Sequence, residues 1–300
     1  MYAIIGASGN TGKIVAEKLL AHGEKVRAIG RDTGRLEGLR QKGAEAFTAN
    51  VTDAAALTKA FSGAKAAYLM IPPNNTAPNF RDYQEQVNDA IVAAVRNSRL
   101  EYAVVLSSIG ADQPEKTGPV VGLYNLEQKL NGIAALKAVY LRAGYFMENI
   151  LPQIGVIQDF GMTGGPLRGD LKLAMIATCD IGAAAAEVLL KLDFSGKAAR
   201  ELQGQRNLTY QELTTAIGNA IGKPDLKYAQ LPPAQLKPAF VQMGMSANMA
   251  DLILEMAEAL NSGHMRALEP RSPANTTPTP IETFITEQIA PRFTATAAGA

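Results

Sequence analysis

Tyr2-Ala3-Ile4-Ile5-Gly6-Ala7-Ser8-Gly9-Asn10-Thr11-Gly12-Lys13 is the stretch that decides the fold. A short strand runs straight into Gly6, Gly9 and Gly12, and the run from Ile14 to His22 follows as a helix. Gly6 permits a sharp turn off the strand, Gly9 lets backbone N–H groups approach an anion with no Cβ in the way, and Gly12 lets helix and strand pack closely. The helix N-terminus then offers partial positive charge to a pyrophosphate. Gly6, Ser8, Gly9, Asn10, Thr11 and Gly12 are therefore the expected dinucleotide-holding residues. Lys13 invites a nucleoside-triphosphate reading, but that loop needs glycine at 7 and a hydroxyl at 14, where Ala7 and Ile14 stand.

Outward from this loop, strands and helices keep alternating. Lys25 to Ile29 reads as a second strand, Gly34 to Gln41 as a polar helix, Ala44 to Ala49 as a third strand, and Asp53 as the N-cap of a helix to Phe61. Ala66 to Ile71 is a continuous apolar strand stopped by Pro72-Pro73. Phe80, Tyr83, Val87, Ile91 and Val95 put one apolar stripe on a long helix. Tyr102 to Leu106, a helix from Tyr124 to Asn131, and Ala138 to Leu141 complete six strands. The pattern is α/β: a doubly wound parallel Rossmann sheet over residues 1–150, with ligands expected beyond the carboxyl ends of strands one and four.

Residues 151–300 read as a smaller, mainly helical lobe for substrate or partner. Gly161 to Pro166 reads as a loop, and Asp180 as the cap of an alanine-rich helix to Leu192 that packs back on the first domain. Helices follow at Thr209 to Ile221, Pro233 to Met243 and Asn248 to Ser262; Pro270 to Pro280 reads as irregular and the closing Ala/Thr/Gly residues as frayed. Met243, Met245, Met249 and Met256 read first as helical core, with an adaptable ligand or partner surface as the alternative.

Composition narrows the function. With Lys+Arg 29 against Asp+Glu 28, the net charge of +1 gives no field to hold nucleic acid or an anionic membrane, so direct binding to either is not expected. One cysteine, Cys179, and two histidines, His22 and His264, form no metal-ligand spacing, so no metal is expected. Strand-like residues from Tyr2 leave no room for a secretory signal, and no apolar run approaches the roughly 20 residues that span a bilayer. The expected compartment is the cytoplasm.

Cofactor choice is set at the end of strand two, where an Asp or Glu would hold the 2′-hydroxyl of NAD. Gly30-Arg31 stands there, so NADP(H) is favoured over NAD(H), with Arg35 one turn on as a second cation. Pro72-Pro73 and Tyr145-Phe146 are expected to wall the nicotinamide, with Ile71 and Ser107 also expected to bind the cofactor. Ser107, Ser108, Tyr124, Glu127 and Asn149 are the polar groups expected near the cleft.

The glycine loop, Arg31, Ser107-Ser108-Ile109-Gly110, and the run from Leu141 to Asn149 together resemble the NmrA-like branch of the atypical short-chain dehydrogenases. The resemblance extends to Asp180-Ile181-Gly182 and Ile289-Ala290-Pro291-Arg292-Phe293. It implies a Rossmann domain with a small C-terminal lobe, in a family of NAD(P)H-dependent quinone and related reductases alongside cofactor-binding redox sensors. Short-chain reductases pair a Tyr with a Lys four residues later, on one helix face, with a Ser on the substrate. Here Tyr124 and Ser108 are the catalytic candidates, but Gln128 occupies the lysine position. Lys129, five residues on, lies roughly 140° away around the helix. The lysine that some members carry ahead of the helical Glu is also missing, since Leu123 stands four residues before Glu127. Epimerases and dehydratases of this type usually rely on the same Tyr–Lys pair.

The leading expectation is an NADPH-dependent oxidoreductase passing hydride to a small apolar acceptor such as a quinone, which needs less general acid than a simple ketone. The alternative is a non-catalytic NADP(H)-binding redox sensor acting through a protein partner. A protein partner or a homo-oligomer stays open.

Overall fold

Strand β1 (Tyr2–Ile5) lies fully buried at the middle of a parallel sheet in the computed structural model, which describes residues 1–297. The chain continues through α1 (Asn10–Ala21), β2 (Val26–Gly30), α2 (Glu37–Gln41), β3 (Glu45–Thr48), α3 (Ala54–Phe61) and β4 (Ala66–Leu69). Next come α4 (Phe80–Ser98), β5 (Tyr102–Ser108), α5 (Val121–Asn131) and β6 (Lys137–Ala143). After the short β7 (Tyr145–Phe146) follow α6 (Gln153–Phe160), β8 (Thr163–Gly165), β9 (Leu173–Ile176), α7 (Thr178–Lys191) and β10 (Lys197–Leu202). The rest is β11 (Asn207–Leu208), α8 (Tyr210–Ala220), β12 (Tyr228–Gln230), α9 (Pro233–Gln242), α10 (Ala247–Asn261), α11 (Ile281–Phe284), a π-helical turn at Ile285–Ile289 and α12 (Ala290–Ala297).

The main sheet has the order β10-β6-β5-β4-β1-β2-β3, every pair parallel. Its winding reverses between β1 and β4, the switch point beyond whose carboxyl ends sheets of this topology bind ligands in a crevice. Alternation along β1 divides the core. Tyr2 and Ile4 pack with Val15 and Leu19 of α1 and Ile181 and Leu189 of α7, while Ala3 and Ile5 pack with Leu57, Val87, Ile91 and Leu126 of α3, α4 and α5. A third apolar cluster gathers Met147, Ile157, Leu173, Leu213 and Phe284.

Four sequence expectations need correction. The sheet has seven strands, not six: β10 pairs with β6, and its polar run Lys197-Ala198-Ala199-Arg200-Glu201-Leu202 carries little apolar signal because its middle is exposed at the sheet edge. Gly161 to Pro166 is not only a loop, since Thr163–Gly165 pairs in parallel with Tyr228–Gln230. Asp180 does not cap α7. Thr178 opens that helix, its N–H donates to the Glu148 carboxylate at 3.0 Å, and Asp180 instead accepts from the N–H (3.0 Å) and hydroxyl (2.8 Å) of Thr279. The end expected to fray is helical as far as Ala297, and residues 298–300 lie outside the described residues.

Helix α10 lies across the loops that follow β4 and β5. The Ser246 N–H donates to the Asn75 carbonyl at 2.8 Å, the Phe80 N–H to Asn248 Oδ1 at 2.8 Å, and Glu255 accepts from both Arg81 (2.9 Å) and the Gly118 N–H (3.1 Å). Of the four methionines, Met249 is buried and Met243 is 62% exposed, so that stripe is only partly core. Among the described residues no helix is long and apolar enough to cross a membrane.

Candidate functional site

The first wall of the crevice is made of backbone. Gly6 has φ +67°, a left-handed conformation that glycine adopts without strain, and a Cβ there would strike Met70 Sδ. A Cβ on Gly12 would strike the Gly6 carbonyl, so the start of α1 sits against the turn that precedes it. Gly9 is the N-cap of α1 and brings no side chain to cap it. Orphan N–H groups of the first turn are thus left to face the crevice. Thr11 is buried and accepts a 2.9 Å bond from the Tyr68 hydroxyl of β4, which ties α1 to the strand across the crevice. Burial pushes the Tyr68 phenol well above its ordinary range, so it stays a donor. Ser8 is half-buried and Asn10 exposed at the mouth.

At the end of β2, Arg31 is exposed and makes no ion pair or hydrogen bond among the described residues. The adjacent acid, Asp32, is turned into its own loop, where it accepts from the Gly34 N–H at 2.8 Å. The Arg31 guanidinium lies near enough to Tyr83 of α4 to favour the ionised phenol, although burial outweighs it and raises the pKa. Tyr83 in turn donates to the Pro72 carbonyl at 3.1 Å. Ile71 and Pro72 are half-buried just past β4. Tyr83 thus ties α4 to the Pro72 carbonyl just past β4, within the electrostatic reach of Arg31.

The far end is made of side chains already bonded to one another. Ser107 is 2% exposed and its hydroxyl donates to Glu127 at 2.5 Å. Glu127 also receives both Nε (3.1 Å) and a terminal nitrogen (2.6 Å) of Arg142, so its carboxylate is fully committed. Ser108 is half-buried and donates to the Ile109 carbonyl at 2.9 Å. Tyr124, half-buried in the first turn of α5, makes no hydrogen bond among the described residues. Lys129 faces α4 and pairs with Glu85 and, at 2.5 Å, with Asp89, so it cannot serve Tyr124.

Tyr145 stands two residues past β6, beside the turn that follows β5, because the Ile109 N–H bonds the Ala143 carbonyl at 2.9 Å. Its hydroxyl lies 3.0 Å from that of Tyr210, with Asn149 beside it. The Tyr210 pairing was not among the sequence expectations. The two residues are 65 positions apart, and no local pattern joins them. Among the described residues no group of three or more His, Cys, Asp or Glu side chains is placed to hold a metal ion.

With this geometry in view, the sequence profile of the NmrA-like family matches residues 2–285. The chain belongs to the NmrA-like family. Among characterised relatives, an NAD(P)H azoreductase of Xenophilus azovorans is 26% identical over 258 residues, 85% of this chain and 86% of the azoreductase. Among solved structures, an NADPH-dependent quinone oxidoreductase of Escherichia coli in complex with NADPH superposes with a TM-score of 0.82 at 24% identity, covering 96% of this chain and 99% of that one. The negative transcriptional regulator NmrA in complex with NAD gives 0.68 at 17% identity, over 99% and 97%. At these identities the structural likenesses are likenesses of fold. This NmrA-like chain shares a frame with a reductase and with a regulator alike.

Proposed function

We propose that this protein is an NADPH-dependent oxidoreductase that passes hydride to a small apolar acceptor, a quinone being the best fit. The observation that carries the reading is Arg31: a free guanidinium at the carboxyl end of β2, with Asp32 turned away from the place where a ribose-binding acid would stand. A free, exposed guanidinium suits a 2′-phosphate and offers nothing specific to a 2′-hydroxyl. The cradle formed by Gly6, Gly9 and Gly12 fits a dinucleotide, since a side chain at position 6 would meet Met70 and one at position 12 the Gly6 carbonyl. The azoreductase relative, matched along most of both chains, supports reductase chemistry.

On this reading the bound dinucleotide supplies the hydride. The first turn of α1, with Ser8, Asn10 and Thr11, holds the pyrophosphate, and Arg31 holds the 2′-phosphate. Ile71, Pro72 and Tyr145 wall the nicotinamide and exclude water. Ser107 shapes the end of β5 through Glu127 and contributes no free hydroxyl. Ser108 and Tyr124 line the acceptor side, Tyr124 bringing an uncommitted hydroxyl.

Fluorescence titration of NADPH and NADH, followed by a panel of quinones, tests the reading. Arg31→Glu should weaken NADPH binding by roughly 10- to 100-fold, the loss of charge-assisted bonds worth about 1.5–3 kcal/mol, and leave NADH binding nearly unchanged. Equal loss for both cofactors, or none, would defeat the cofactor assignment. The sensor reading is favoured by one observation, Lys129 being held by Glu85 and Asp89 away from Tyr124. Saturable NADPH binding with no turnover on any acceptor would establish it instead.

A further inference from the structure

The Tyr145–Tyr210 pair is built as a donor with one proton left over. Tyr210 is 4% exposed, and its hydroxyl has no acceptor other than Tyr145 Oη among the described residues. A buried hydroxyl whose proton goes unmatched is costly, so Tyr210 donates and Tyr145 accepts. The Asn149 side chain lies near the same oxygen and favours the ionised phenol, against the larger, opposing effect of burial. Tyr145 Oη thus receives the Tyr210 bond, and its own proton has no acceptor among the described residues. Tyr145 is half-buried where Tyr210 is buried.

Both rings are fixed. Tyr145 is held in β7 by pairing with β9, Tyr145 opposite Met175. Tyr210 is the first residue of α8, directly after a capping box in which Thr209 and Glu212 bond each other's backbone. The rings meet edge to face at 6.3 Å. Tyr228 stacks on Tyr210 at 5.0 Å, but its hydroxyl is spent on the Leu167 carbonyl at 2.6 Å.

We infer that Tyr145 is the hydrogen-bond donor to the acceptor oxygen, with Tyr210 as its positioning residue, in a protein that lacks the Tyr–Lys pair. The inference rests on the reductase reading. Reduction of a quinone adds one hydride, drawn from the reduced nicotinamide, and one proton, drawn from water. One carbonyl oxygen carries negative charge until the proton arrives, and the Tyr145 O–H stabilises that charge without giving up its own proton. Burial holds both phenols protonated through the physiological range, as a donor requires. The bond accepted from Tyr210 makes Tyr145 a stronger donor than Tyr124, which accepts none among the described residues.

The test compares Tyr145→Phe, Tyr210→Phe, the double variant and Tyr228→Phe, each of which keeps its ring. Expected for Tyr145→Phe is a loss of about 100-fold in kcat with a quinone, the usual cost of one oxyanion donor, with unchanged NADPH affinity and a modestly lowered melting temperature, because Tyr210 loses its acceptor. Tyr210→Phe should lose less, the double variant no more than Tyr145→Phe, and Tyr228→Phe nothing. A second readout needs no cofactor: 4-nitrophenolate, an oxyanion probe read by its absorbance, should bind Tyr145→Phe roughly 10-fold more weakly than the parent protein. Full quinone turnover in Tyr145→Phe overturns the inference and leaves the reductase reading standing. Additive losses in the double variant overturn the role of Tyr210. A parent protein that binds NADPH but reduces no quinone overturns both readings together.

Discussion

The two ends of the crevice are built from different materials. At the β1 end the proposed binding groups are main-chain N–H groups, left uncapped because Gly9 brings no capping side chain, while Gly6 and Gly12 let helix and turn close on each other. At the β5–β6 end they are side chains, and most are already spent: Ser107 and Arg142 on Glu127, Ser108 on the Ile109 carbonyl, Lys129 on the carboxylates of α4. A site made of backbone is fixed once its turn is fixed. A site made of side chains depends on which partners the rest of the chain brings to it.

The largest break in this comparison should come from Arg142→Ala. It strands Glu127, whose side chain is 3% exposed, and loss of one partner from a buried pair costs about 3–5 kcal/mol. Urea unfolding measures it. A loss below about 1 kcal/mol, the range of exposed pairs, would mean that the far end is not held by this ion pair. Gly12→Ala attacks the other end. Its Cβ meets the Gly6 carbonyl, so about 1–3 kcal/mol of overpacking is expected together with weakened NADPH binding. Binding that survives while stability falls would separate the turn from the cofactor and blur the contrast.

The smallest effect sharpens the contrast rather than breaking it. Thr209→Ala removes the cap that sets Tyr210 at the head of α8, at a cost of about 1 kcal/mol. Catalysis should fall further than stability alone explains if Tyr210 positions Tyr145. The partner of that cap, Glu212, has its carboxyl held below the usual carboxylate range by the Thr209 N–H and hydroxyl. Its contribution is therefore fully present above the unfolded value of about 4.3 and disappears as pH falls through the lower folded value. The stability difference between the parent protein and Glu212→Gln should accordingly be flat above about pH 5 and close in acid. A difference that grows in acid would reverse the sign and remove the box.

Sequence alone carried the glycine loop, the alternating strands of the first half, the Asp53 cap, the Thr209 helix and the unmatched Arg31, because each depends on residues within a few positions of one another. It also carried the missing lysine, since helix periodicity places Lys129 away from Tyr124 without knowledge of its partners. Only the tertiary structure supplied the seventh strand, whose exposed middle shows no apolar alternation, and the pairing of Thr163–Gly165 with Tyr228–Gln230. It alone showed that Ser107 is locked to Glu127 and that the Tyr145 and Tyr210 hydroxyls, 65 positions apart, meet at 3.0 Å. Backbone conformation is set locally by sterics, whereas a side-chain hydrogen bond needs two groups that only folding brings within 3 Å.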